Sequence, residues 1–239
     1  MAIVSNTVGY LDGDVHLEAF FAFDDALSGR RPAVLINHTW AGRDDFVAEK
    51  AKQLAALGYV GFALDLYGKG IVGSCPEENA KLMQPFIDNR PMLQKRMQAA
   101  LYAVKLLPWV DDSKCAAIGF CFGGLCVLDL ARTGTGLKGV VSFHGLLGAP
   151  GNTEGNAIKA KILALHGHDD PLAPVEQVLA FEEEMTKAGA DWQLHTFGST
   201  LHAFTNPAAN NPDIGMAYQP DSDRRSWLAM KNFLAEILA

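Results

Sequence analysis

From residue 31 to residue 238 the sequence alternates short apolar runs with longer stretches at helical spacing, and this alternation restricts the fold more than any other feature. The run RPAVLINH, residues 31–38, is apolar and branched, as a strand buried on both faces should be. Next, DDFVAEKAKQLAALG repeats Phe46, Ala51, Leu54, Ala55 and Leu57 at roughly helical spacing and stops at Gly58. A second apolar run, YVGFALDLYG, follows. Strand, helix and strand in that order predict a parallel crossover unit.

The pattern recurs. PMLQKRMQAALYAVKLL reads as a helix, KCAAIGF as a strand, GGLCVLDLAR as a helix and LKGVVSFHG as a strand. KILALHG, VEQVLAFEEEMTKAG, DWQLHTF and DRRSWLAMKNFLAEIL then give strand, helix, strand and helix. The expected fold is α/β, a doubly wound, mostly parallel sheet, with VHLEAFFAF adding an antiparallel strand. Residues 68–90 and 145–158 lack periodicity and read as surface excursions, of the kind that shape sites at the carboxyl ends of strands. No linker-like run interrupts the pattern, so one domain over residues 1–239 is expected.

Composition narrows the function. A chain 49% hydrophobic and 20% charged packs into a globule, and a net charge of -7 disfavours nucleic acid as a partner. The N-terminus carries no secretion signal, and every apolar run breaks well before the roughly 20 residues a membrane span needs. A soluble, cytoplasmic protein without a membrane partner is expected. Cysteines at 75, 115, 121 and 126 form neither a disulfide scaffold nor a paired zinc pattern. His166, His168, Asp169 and Asp170 are metal-ligating types close in sequence, but adjacency does not make a tetrahedral site. No metal and no cofactor is expected.

The segment GFCFGG carries the chemistry. It lacks the middle glycine of a dinucleotide fingerprint and the Lys-Ser or Lys-Thr of a phosphate-binding loop. Gly119, Cys121 and Gly123 instead meet the demand of a nucleophile elbow: small residues two before and two after an apex between strand and helix. The amide of Phe122 at the helix start could then donate to a developing oxyanion. Alternatively Cys121 is a small apolar residue in a packed loop. Partners follow in the order such an elbow uses: Asp169 and Asp170 lie just after the strand KILALHG, and His202 lies in the loop after DWQLHTF. The histidine would move the thiol proton and an aspartate would hold its tautomer.

With GFCFGG, LDLYG at 64–68, HGHDDPLAP and LHAF around His202, the chain resembles the dienelactone hydrolase family of the α/β-hydrolase fold over roughly residues 30 to 238. The resemblance implies a triad of Cys121, Asp170 and His202 acting on small esters or lactones, the G-x-x-D arrangement from Gly167 selecting Asp170 over Asp169. It also implies a second oxyanion donor in the loop beginning at Thr39. Trp40, Tyr67, Phe122 and His144 are candidates to line an aromatic pocket, with core packing as the alternative. There are departures. Where the family has a glutamate that helps activate the cysteine, this chain has Asn37 and His38, so His38 is a candidate pocket residue. Where the family has an arginine shortly after the histidine, this chain has Asn206, and Arg90 is the remaining candidate for that charge.

The expected function is hydrolysis of a small ester or lactone through an acyl-enzyme on Cys121. Thioester hydrolysis or acyl transfer is the related alternative, and a non-catalytic ligand-binding module the unrelated one.

Overall fold

A computed structural model describes residues 2–239. Strands alternate with helices and pair mostly in parallel, as the sequence pattern requires, and the chain divides into two compact units, residues 1–118 and 119–239.

The first unit opens with β1 (Ile3–Asp12) and β2 (Val15–Asp24), an antiparallel pair in register along its whole length from Ile3 opposite Asp24 to Asp12 opposite Val15. Then come β3 (Arg31–Asn37), α1 (Asp45–Ala55) and β4 (Val60–Ala63). β2 runs antiparallel to β4, and β4 parallel to β3. The crossover is the one the sequence predicts. Asp44 caps α1 by accepting the Val47 N–H, and Val47, Ala51, Leu54 and Ala55 form its buried face. After β4, α2 (Pro76–Asp88) and α3 (Arg90–Lys105) are separated only by Asn89, which caps α3 by accepting the Met92 N–H.

Two elements depart from expectation. β1 is absent from the sequence reading because most of it is exposed, so pairing with β2 holds it rather than an apolar face. α2 lies inside the stretch 68–90 that reads as an irregular excursion: only Asn79 and Phe86 are buried, and Pro85 interrupts its hydrogen bonding. Pro85 inside the stretch reads as a break and hides the helical spacing of Leu82, Met83 and Phe86.

A polar network fixes the loop after β4. Arg96 on α3 donates from Nε to Asp12 Oδ2 at 2.8 Å and also to the Leu66 carbonyl. Asp65 accepts from the N–H groups of Glu18, Tyr67 and Gly68. Asp65 and Arg96 are both buried, and each is held by several hydrogen bonds, as buried charged groups must be.

β5 (Val110–Phe120) runs through the division into the second unit, which continues with α4 (Phe122–Arg132), β6 (Gly139–Phe143), β7 (Lys161–Gly167), α5 (Val175–Lys187) and β8 (Trp192–Phe197). β6, β7 and β8 pair in parallel. Residues 145–158 form no helix or strand, as expected. A short hairpin, β9 (Asn210–Asn211) and β10 (Met216–Ala217), precedes the last helix, α6 (Pro220–Ile237).

Candidate active site

Cys121 sits between β5 and α4 at φ 56° and ψ -119°, a conformation costly for a side chain with a Cβ. The glycines around it permit that turn. A Cβ on Gly119 would collide with the Gly123 carbonyl, and one on Gly124 would lie 2.5 Å from Ser142 Oγ and 2.7 Å from Gly145 Cα. The start of α4 therefore packs backbone to backbone on the end of β6. Phe122 is the first residue of α4, so its N–H lies at the positive end of the helix.

Asp170 and His202 stand in loops after β7 and β8. Asp170 Oδ2 and His202 Nδ1 are 2.7 Å apart, and both residues are buried. Asp169 is exposed, and its backbone N–H is bonded to the Thr200 carbonyl. Of the two adjacent aspartates, only Asp170 meets the histidine. Its Oδ1 accepts the Leu172 N–H, which fixes the carboxylate from the other side.

With Nδ1 taken by Asp170, His202 has Nε2 left for Cys121. Burial works against charge on this ring. The Cys121 charge and the Asp170 hydrogen bond outweigh it, lifting the pKa from 6.5 to about 10. Cys115 is buried, and burial pushes its thiol up to about 11. Cys126 is buried within α4, and Cys75 precedes α2.

The backbone of His202 is held by residues that the sequence does not single out. Its N–H donates to the Gly215 carbonyl, and its carbonyl accepts from the Ala217 N–H, so the β9–β10 hairpin clamps it on both sides. Two-residue polar strands carry no period by which to recognise such a hairpin.

His144 follows β6 and is 1% exposed. Its Nδ1 accepts the Cys121 N–H at 3.1 Å, and its Nε2 lies 2.8 Å from Thr205 Oγ1. Its ring packs edge-on to His202, with centroids 5.1 Å apart. Thr205 is a second residue that sequence reasoning missed. Asn206 turns its side-chain oxygen to the Ala208 N–H and so serves its own loop.

The remaining candidates lie in the first unit. His38, at the end of β3, is fully buried, and burial pushes its pKa down to about 4. Its Nε2 accepts the Leu66 N–H at 3.3 Å, which leaves Nδ1–H to donate to the Thr39 carbonyl at 2.6 Å. Both ring nitrogens are thus engaged by backbone. Asn37 donates from Nδ2 to Met97 Sδ. Tyr67 packs on His38 with centroids 4.8 Å apart and donates its hydroxyl hydrogen to the Trp40 carbonyl. The Gly42–Val72 bridge also ties the loop after Thr39 to the segment after Tyr67. Arg90 is the half-buried first residue of α3.

Among the described residues, no group of three or more His, Cys, Asp or Glu side chains converges to hold a metal, and no helix is long and apolar enough to cross a membrane. His166, at the end of β7, is 4% exposed, and burial lowers its pKa.

A model of the dienelactone hydrolase family matches residues 17–238. A solved structure of a dienelactone hydrolase-like promiscuous phosphotriesterase from metagenomic libraries is 37% identical, covers 100% of both chains and superposes with a TM-score of 0.94. An uncharacterized protein of Caenorhabditis elegans is 38% identical over 159 residues, which are 64% of this chain and 98% of that one. A candidate carboxymethylenebutenolidase of Aquifex aeolicus is 29% identical over 214 residues, 87% of this chain and 89% of its own.

Proposed function

Because the chain belongs to the dienelactone hydrolase family and has the α/β-hydrolase fold, we propose that it hydrolyses small esters or lactones through an acyl-enzyme on Cys121. The observations that support this reading are the strained turn that sets Cys121 at the head of α4 and the buried imidazole of His202 bonded through Nδ1 to Asp170.

In this mechanism the Cys121 sulfur attacks the acyl carbon, and the carbonyl π electrons move onto oxygen. The Phe122 N–H, at the positive end of α4, stabilises that oxyanion. Thr39 is the proposed second donor, on the resemblance alone. Collapse expels the alcohol oxygen, which takes a proton from His202 Nε2 and leaves a thioester. His202 then removes a proton from water, which attacks the thioester, and the second collapse returns the thiolate. Asp170 holds the Nδ1–H tautomer and offsets the positive charge on the ring. With a lactone, the alcohol is the tail of the same molecule and leaves only when the thioester is cleaved.

His38 is not the activator in this reading, since both ring nitrogens are engaged by backbone. Trp40, Tyr67 and Arg90 stay proposed pocket residues. The family match runs through both compact units, which supports treating residues 1–239 as one functional domain. Among the described residues no two cysteines form a disulfide, which suits a reducing compartment, and we propose the cytoplasm.

The test is a panel of aryl esters, lactones and thioesters with intact-mass detection of the acyl adduct. Turnover with an adduct confined to Cys121, both lost in Cys121→Ala, is the expected result. Wild-type turnover by Cys121→Ala overturns the mechanism. Thioesters cleaved much faster than oxygen esters would instead favour the thioesterase or acyl-transfer reading.

A second reading is favoured by one observation, the 37% identity over the full chain to a phosphotriesterase. The same thiolate attacking a neutral aryl phosphotriester would expel the aryloxide and leave a phosphorylated sulfur. Release of the aryl alcohol with a phosphoryl adduct on Cys121 tests it.

A further inference from the structure

The segment around His144 has features that a pocket wall does not require. The residue adopts φ 38° although it carries a Cβ. Among the described residues, the positive-φ residues other than glycine are Cys121, His144, Ser199 and Ala203, and three of them adjoin one site: Cys121 itself, His144 against it, and Ala203 following His202. Strain concentrated in this way is held in place by its surroundings.

The hydrogen bonds fix the ring's tautomer. Nδ1 accepts the backbone N–H of Cys121, so the proton sits on Nε2 and is donated to Thr205 Oγ1. The same Cys121 N–H also reaches the Phe143 carbonyl at 3.0 Å. Thr205 lies three residues after His202 in the same loop. A continuous chain therefore runs from the loop of the histidine, through Thr205 and His144, to the backbone of the cysteine, and it uses no atom of Asp170. The His144 ring stands edge-on to both His202 and Phe204, each with centroids 5.1 Å away. Gly145 locks the next position, since a Cβ there would lie 2.8 Å from Gly124 Cα.

We propose that His144 is a positioning residue that ties the nucleophile elbow to the His202 loop and so sets the separation of sulfur and imidazole. Its role rests on the Cys121 and His202 reading above. Asp170 orients the imidazole about its own axis. His144 and Thr205 set how far that imidazole stands from the turn that carries the thiol. Because reaction rates fall steeply with small displacements of reacting groups, such a tie affects turnover rather than substrate affinity.

Three variants separate this role from plain packing. His144→Phe keeps the ring and its edge contacts but removes both nitrogens. His144→Asn keeps an acceptor near the Nδ1 position, and Thr205→Val removes only the hydroxyl. Each is measured for kcat and KM on an aryl ester, and for the rate of Cys121 alkylation by iodoacetamide against pH. The titratable groups around His202 are Cys121, Asp170, His144 and His166, and the last two variants leave three of them or all four in place.

His144→Phe is expected to lower kcat by roughly 10- to 100-fold with little change in KM. It should also move the alkylation midpoint toward that of an ordinary thiol, near ~8.5. His144→Asn should recover much of both, and Thr205→Val should shift both in the same direction by less. An unchanged alkylation profile in His144→Phe and Thr205→Val overturns the proposal, even if kcat falls, because the fall would then be structural. Should His144→Phe fail to fold, His144→Asn and Thr205→Val decide the matter. Alkylation of Cys121 needs no turnover, so this test stands apart from the hydrolase assay, whose failure in Cys121→Ala controls would strike the underlying mechanism instead.

Discussion

Asp170 Oδ2 accepts a hydrogen bond from His202 Nδ1 at 2.7 Å, and neither side chain is exposed to solvent, whereas Asp169, one residue earlier, is exposed. Removing the Asp170 charge while keeping its shape offers the ring an amide that can present its N–H and favour the wrong tautomer. Asp170→Asn should lower kcat by about 10²- to 10⁴-fold, and Asp169→Asn by less than about threefold. Steady-state kinetics on one aryl ester decides between them, and equal losses would remove the special role of Asp170.

The raised pKa of His202 has a sign that can be followed. Its folded value, about 10, lies above the ordinary 6.5, so its contribution to stability is complete below pH 6.5 and is lost as the pH climbs through about 10. Urea unfolding should show wild-type stability falling between neutral pH and pH 10. Cys121→Ala removes the largest of the influences that raise this pKa, and NMR titration of the imidazole should then give a lower value than in wild type. An imidazole that titrates identically in the two proteins would contradict the thiol contact.

His38 is expected to matter for folding. His38→Ala leaves a cavity beside Tyr67 and deprives the Leu66 N–H and the Thr39 carbonyl of their partner, at a cost of about 2–4 kcal/mol. Denaturant melts measure this. The Cys121 alkylation profile should stay as in wild type wherever the variant is folded. Burial holds the His38 pKa at about 4, so its contribution is full above pH 6.5 and declines as the pH falls toward 4.

Gly119→Ala tests the elbow without touching a reactive group. The added methyl meets the Gly123 carbonyl, which can move only with the start of α4. A loss of roughly 1–3 kcal/mol or more in stability, together with loss of turnover, is expected. Recovery of a well-folded, fully active Gly119→Ala would show that the turn has slack.

Most of the fold is legible because helices and buried strands impose periods on their residues. α1, α3, α5 and α6 carry apolar faces, and β3, β4, β6 and β7 are buried almost throughout. β1 escapes detection because most of it is exposed, and α2 because Pro85 within it reads as a break. The positions of Cys121, Asp170 and His202 at strand ends or in the loops that follow were foreseeable from residue type and order, as was the pairing of an aspartate after β7 with His202. Thr205, the β9–β10 clamp and the double use of the His38 ring were not. Each depends on a backbone group or hydroxyl whose partner is many residues away in sequence, as with His38 and Leu66 or His144 and Thr205.

The clamp on His202 separates two things that loops usually confound. Its N–H and carbonyl are bonded to Gly215 and Ala217, whereas Pro207 and Ala208 form an exposed tip between them in sequence. Insertions at that tip lengthen the rim while the imidazole keeps its station. The segment is thus a place where the chain can vary in length and composition without moving His202.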